Sequence, residues 1–364
     1  MPTPNFDLTA LAIAGVCPGN EILYDDTGYP SIMVKIPKMT YAQLGMGEST
    51  AIHPAFIVNG QEVDEIYISK YQNIVQNGRA YSLPGQDPRA SITFDQARQY
   101  CEAKGEGWHC MTRMEWGLLL RWCNANGFMP KGNNNYGKHS TESVYKAIPT
   151  SIDTGASPAK TGRVATGTGP LTWYHDGSPS GIADLCGNVW EWAGGVRTVY
   201  GELQILANNN AADHARSQSS VSTEWKAILA SDGSLVTPNG SGTTTGTVKM
   251  DWVSSKLQYD TSITTKADEG RYTTFANVVC SENISENAKQ VLVNLGMMTY
   301  AEEDLFASHW VGFNNGAAER CFFSGGHWYF SSSGLGSFCG YDSRSHSGSY
   351  IGFRAAFVKL PAVD

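Results

Sequence analysis

Charge is what this sequence has least of. Among 364 residues only 26 are Lys or Arg and 34 are Asp or Glu, a net charge of −8, and no cluster of basic residues occurs anywhere. Nucleic acid and anionic membranes are therefore poor partners, because both are held through basic patches. Long apolar runs are missing as well. Nothing approaches the roughly 20 consecutive apolar residues a membrane-crossing helix requires, so no membrane insertion is expected. The most apolar early stretch, Leu8 to Val16, has no basic flank, follows Asp7 and meets Cys17 without a small residue at position 16. It reads as a folded amino-terminal segment and not as a secretion signal. Eight cysteines are present, none in Cys-x-x-Cys spacing, which argues against a structural zinc site and leaves no demand for an oxidising compartment.

What is abundant is Gly, Ser, Thr, Asn and aromatic residues, a balance that favours short strands and long ordered loops in an α+β fold. Ile32 to Pro37, Ala55 to Val58 and Glu65 to Lys70 read as strands. Thr93-Phe94-Asp95-Gln96 and Thr112-Arg113-Met114-Glu115 are capping-box patterns. Apolar stripes follow each at helical spacing: Phe94, Ala97, Cys101 and then Trp116, Leu119, Leu120, Cys123. Residues 128–172 read as irregular loop, and Asp184 to Trp192 as a dense aromatic strand. The 201–300 block, with candidate strands at Gly246 to Trp252 and Tyr272 to Cys280 and a helix at Ser285 to Leu295, reads as an ordered but peripheral insertion. The organisation expected is an amino-terminal segment, 1–30, and one domain, 31–364.

The tail is compositionally distinct. Phe322-Phe323 and Ile351 to Val358 have the apolar density of core strands, whereas residues 327–350 between them are mainly Ser, Gly, Tyr, Phe and His. Antibody paratopes use the same mixture: Tyr supplies rigid contact area, Ser and Gly adaptable polar contacts. Across 327–350 there is no Lys, Glu, Gln, Met, Ile or Thr, and Trp328 is the sole Trp. Apart from Trp328, the polar and aromatic types that occur (His, Tyr, Phe, Ser, Cys, Asp, Gly) are all reachable from an Asn codon by changing its first two bases. Such changes cannot produce Lys, Glu, Gln, Met or Trp.

Gly325-Gly326-His327-Trp328 and Ile351-Gly352-Phe353-Arg354 bracket this segment. With Gly187-Asn188-Val189-Trp190-Glu191-Trp192 and the Thr112-x-x-Glu115-Trp116 helix start, they resemble the formylglycine-generating-enzyme branch of the C-type lectin fold. Within that branch the tail is similar to the variable proteins of diversity-generating retroelements, whose phage members include receptor-binding tail-tip proteins. The resemblance spans roughly 30–195 and 305–360 and leaves 201–300 unmatched. It implies that Asn codons in a variable region of about 325–350 are diversified. The corresponding ligand-binding positions are His327, Tyr329, Phe330, Ser332, Ser333, Tyr341, His346, Ser349 and Tyr350, with Ser331, Cys339 and Asp342 as additional candidates. Trp328, Gly352, Phe353 and Arg354 are implied as fixed scaffold. The resemblance further implies a protein or glycan receptor on a cell surface, a homotrimer, and a place in the virion, in the bacterial cytoplasm before assembly, or at a cell surface.

The same branch contains an oxidase and iron-dependent enzymes, so a formylglycine-generating-type enzyme with an altered site is the alternative. Oxidase chemistry requires a close pair of reactive cysteines in the tail. Cys321 and Cys339 are far apart in sequence, and Ala355 follows the Gly-Phe-Arg. The eight histidines are scattered and form no ligand pattern with a carboxylate. No catalytic residue is therefore expected. The Glu-Pro-Asn, Gln-Pro-Asp and Trp-Asn-Asp motifs of calcium-dependent sugar lectins do not occur. No cofactor is expected beyond a structural calcium ion to which Asn188 and Glu191 contribute oxygens, and hydrogen bonding of both residues within the core is the alternative.

Overall fold

Two capped helices set the frame. In the computed structural model, which describes residues 7–143, 146–301 and 304–360, helices Phe94–Glu102 and Arg113–Ala125 start where their capping boxes place them. In each box the threonine side chain accepts from the backbone N–H of the third helical residue. The side chain of that residue, Gln96 or Glu115, accepts in return from the threonine N–H. Both apolar stripes are buried, with Cys101 and Cys123 as core thiols. Burial pushes the Cys123 thiol up, so it behaves as a small apolar group.

Two sheets pack around these helices. The smaller has strand order Asn20–Tyr24, Pro30–Pro37, Glu65–Ser69, Ala355–Phe357 and Trp108–Cys110. Its edge strand, Asn20–Tyr24, lies within the first 30 residues and pairs antiparallel with Pro30–Pro37. The helix Leu8–Val16 precedes it and buries none of its residues. The larger sheet has twelve strands among the described residues. Its spine is Trp190–Val199, paired on one side with Arg320–Ser324 and on the other with Glu202–Ile205 at its carboxy-terminal end and, in parallel, with Ile351–Phe353 at its amino-terminal end.

Several sequence expectations change here. Ala55 to Val58 is a 3-10 turn, Pro54–Phe56, running into a two-residue strand; Pro54 opens the turn and the His53 side chain caps the Ala55 N–H. The aromatic strand begins at Trp190 and not at Asp184, because Asp184 and Asn188 sit at φ 61° and 64°, outside strand geometry. The 201–300 block is not peripheral. Leu203, Ile205, Val248, Met250, Leu257, Phe275 and Leu292 pack in the same core cluster as Trp116 and Phe322. Its helix, Glu286–Asn294, starts one residue after the Ser285 cap, as the pattern suggests. Ile351 to Val358 is not one strand but two, in different sheets, with Arg354 at the crossing.

Candidate binding surface

The tail enters from strand Arg320–Ser324 through Gly325 and Gly326, at φ 91° and 88°. A side chain at 326 would meet Ser333 Oγ at 2.0 Å, so both conformation and space require glycine there. The chain then turns tightly: Phe330 N–H donates to His327 O at 3.2 Å and Ser333 N–H to Phe330 O at 2.9 Å. Leu335 is buried, and Gly334 and Gly336 lie against the His309 ring. The middle of the segment, expected to lack regular structure, forms strand Phe338–Asp342. It pairs antiparallel with Arg320–Ser324 and parallel with Trp310–Phe313.

That strand divides the twelve implied positions. Tyr329 is 45% exposed, and Ser331, Ser332 and Ser349 are also exposed. Phe330, Tyr341, Asp342, His346 and Tyr350 are half-buried. His327, Ser333 and Cys339 are buried, so their side chains do not project to solvent as the pattern implied. Ser333 Oγ donates to Phe330 O at 2.6 Å within the turn, and Cys339 lies in the core beside Phe323. His327 packs against Trp190, Phe330 and Tyr350 with centroids 6.1, 5.6 and 5.1 Å away. Trp328, Gly352, Phe353 and Arg354 are all buried. The Trp328 indole N–H reaches Asp153 at 3.2 Å.

Burial pulls the His327 imidazole down to about 3, outweighing the opposing pull of Asp153. In the unfolded chain the same ring takes up a proton near 6.5. The stability contributed by neutral His327 is therefore present above about pH 6.5 and is lost as pH falls towards 3. His327→Phe is expected to keep the ring packing and to reduce the drop in melting temperature between about pH 7 and pH 4.5. An unchanged drop would mean that His327 takes its proton without leaving the core.

The backbone of the segment is held by donors that lie outside it. Tyr136 N–H reaches Trp328 O at 2.6 Å, and the Asn134 side-chain amide reaches Ser331 O and Ser333 O at 3.2 and 3.1 Å. Trp310 N–H donates to Ser332 O, Phe94 N–H to Arg344 O and Ser91 N–H to Gly348 O, at 3.2, 3.1 and 3.0 Å. Arg163 donates to Ser349 O at 3.1 Å and Trp190 N–H to Tyr350 O at 2.8 Å. Arg344 adds a side-chain anchor, pairing with Glu319 at 3.0 Å and Asp95 at 2.7 Å. Two aromatic residues outside the segment, Tyr136 and Trp310, meet it, a third, Tyr272, meets Trp310, and the sequence reading missed all three. Tyr136 stacks on Tyr329, Trp310 meets Phe330 and Tyr341, and Tyr272 stacks on Trp310.

Behind the segment lies a buried polar network. Glu191 accepts from Arg354 Nε and an Arg354 terminal nitrogen, both at 2.9 Å, and from Gln72 at 2.9 Å. Asn188 donates to Gln72 Oε1 at 2.9 Å and accepts from the Val164 N–H at 2.8 Å and the Asn133 amide at 3.2 Å. The oxygens of Asn188 and Glu191 are thus filled by protein donors, and a guanidinium already neutralises the carboxylate. This arrangement does not fit a calcium ion held by those two residues.

Two short-stranded sheets, two capped helices and an irregular carboxy-terminal segment seated on the larger sheet define a C-type-lectin-type domain of the formylglycine-generating kind. The chain belongs to the family described as the sulfatase-modifying factor enzyme 1-like domain, whose model matches residues 39–226, just over half of its 364 residues. Among solved structures it is similar to PvdO from Pseudomonas aeruginosa, at 12% identity and TM-score 0.36 over 94% of this chain and 99% of that one. It is also similar to Treponema denticola variable protein 1, at 12% identity and TM-score 0.35 over 94% and 100% of the two chains. The U1 variant of the major tropism determinant matches at 11% identity and TM-score 0.29 over 91% of this chain and 66% of that one. No curated protein matches the chain.

Proposed function

We propose that this chain is a non-enzymatic binding protein whose segment 325–350 is diversified by a retroelement, each version selecting a different protein or glycan receptor on a cell surface. Its place is the receptor-recognising tip of a phage tail, assembled as a homotrimer so that several weak sites act together. One observation carries this reading. The segment is anchored through its own carbonyl oxygens, by donors from Asn134, Tyr136, Trp310, Phe94, Ser91, Arg163 and Trp190. A carbonyl is the same whatever side chain the residue bears, so exposed side chains can change while the backbone keeps its course.

The enzyme alternative fares worse. Cys321 and Cys339 lie on paired strands, nearer than their sequence separation suggested, but both are fully buried. Burial pushes the Cys321 thiol up to about 12 and raises Cys339 as well, so neither offers a reactive thiolate. Among the described residues no group of three His, Cys, Asp or Glu side chains is placed to hold a metal. Incubation with a Cys-containing peptide, copper and oxygen is expected to give no turnover.

The test of the binding reading is a recoded segment. Asn placed together at Tyr329, Ser331, Ser332 and Ser349 is expected to change stability by no more than about 0.5 kcal/mol per site, while abolishing binding to cells that the original chain recognises. Full retention of cell binding would remove the segment from recognition. Collapse of the fold would show that these side chains, and not the carbonyl anchors, hold it.

A further inference from the structure

We infer that the binding surface continues beyond the segment: Tyr136, Trp310 and Tyr272 form its constant part, and the whole surface takes a polypeptide of low charge. This rests on the reading of 325–350 as the ligand-binding segment and extends it to residues that diversification does not reach.

An unbroken run of ring contacts crosses the segment and leaves it at both ends. Tyr136 stacks on Tyr329 at 6.4 Å and 21°. Tyr329 meets His327 at 4.0 Å, His327 stacks on Phe330 at 5.6 Å, and Phe330 meets Trp310 edge-on at 4.9 Å. Trp310 then stacks with Tyr272 at 6.3 Å and 23°. Tyr272 closes the run and is 68% exposed, more than any aromatic residue of the segment itself. A large aromatic side chain left in water beside others is the usual mark of a contact surface, and Tyr and Trp dominate the energetics of such surfaces. Half of the run lies inside the diversified segment and half outside it. Constant rings supply contact area, and the varied positions among them select the partner.

Charge and topology decide the kind of partner. Guanidiniums on the same strands and loops are spent within the chain: Arg320 on Asp268 at 2.9 Å, Arg271 on Glu269 at 3.2 Å and Arg344 on Glu319 at 3.0 Å. Their carboxylates are spent with them, so they are poorly placed to clamp sugar hydroxyls, and the cation beside Tyr136, Lys160, is held over that ring at 4.3 Å. Tyr272 sits on Arg271–Thr274, the edge strand of the large sheet. An edge accepts a polypeptide backbone as no glycan does.

The test uses the intact chain, a displayed library of short random peptides and, in parallel, a glycan array. Peptides enriched on the chain are expected to lose about tenfold or more in affinity with Tyr272→Ala and with Tyr329→Ala. They are expected to lose less than about threefold between low salt and roughly 0.5 M salt. Loss with Tyr329→Ala and none with Tyr272→Ala overturns the extension and leaves the segment reading standing. Loss with Tyr272→Ala alone overturns the segment reading, and the extension falls with it. Strong salt dependence, failure to enrich any peptide, or glycan binding that Tyr272→Ala removes overturns the assignment of a polypeptide partner.

Discussion

Arg354→Met is expected to destabilise the fold by about 3–5 kcal/mol, the range for a buried ion pair that loses one partner. Arg354 is fully buried where the chain passes from one sheet to the other. It donates twice to Glu191 on the spine of the larger sheet, to Ser69 O at 2.7 Å on the smaller sheet, and to Ala183 O at 2.9 Å. Removing it strands a buried carboxylate and two carbonyls together. The melting temperature should fall by on the order of 10 °C. Adding Glu191→Leu to Arg354→Met should recover part of the loss, since a pair replaced as a whole costs less than one broken. Thermal unfolding of the single and double variants measures both effects. A loss under about 1 kcal/mol for the single variant would mean that Arg354 does not join the sheets.

Cys339→Asp is expected to cost at least about 3 kcal/mol, because it places a carboxylate in a fully buried site near the Asp342 carboxylate. Cys339 is 0% exposed and packs with Phe323, Trp192 and Ile351. Asp is as reachable from an Asn codon as Cys is, so codon arithmetic permits this change and the core forbids it. Ser331→Asp, on the exposed turn of the same segment, should stay within about 0.5 kcal/mol. Denaturant unfolding of the two variants separates a codon that can vary from a position that can. Equal stabilities would contradict the division of the segment into an exposed and a core part.

What the sequence showed well is what is local. Both capping boxes and their apolar stripes can be read within a dozen residues, because a helix cap needs only its own next turn. Strands that depend on distant partners were harder. Phe338–Asp342 is flanked by Ser and Gly and looks like loop until Arg320–Ser324 and Trp310–Phe313 are seen beside it. Glu202–Ile205 and Lys256–Asp260 went unnoticed for the same reason, which made an integral block look peripheral. The apolar run Ile351 to Val358 gave no sign of dividing at Arg354, because periodicity does not report which sheet a residue joins. Within the segment, composition could not say which way each side chain faces. Tyr136, Trp310 and Tyr272 escaped notice because nothing in their local sequence relates them to one another.

The central claim, that 325–350 is a diversified binding segment on a fixed backbone, is tested most directly by sequencing the DNA downstream of the gene. The account predicts a near-identical repeat of this segment beside a reverse transcriptase gene. That repeat should carry Asn codons at Tyr329, Ser331, Ser332, His346, Ser349 and Tyr350, and identical codons for Gly325, Gly326, Trp328 and Gly352 to Arg354. Unrelated sequence there, or a repeat whose Asn codons fall on the buried positions and spare the exposed ones, would contradict it.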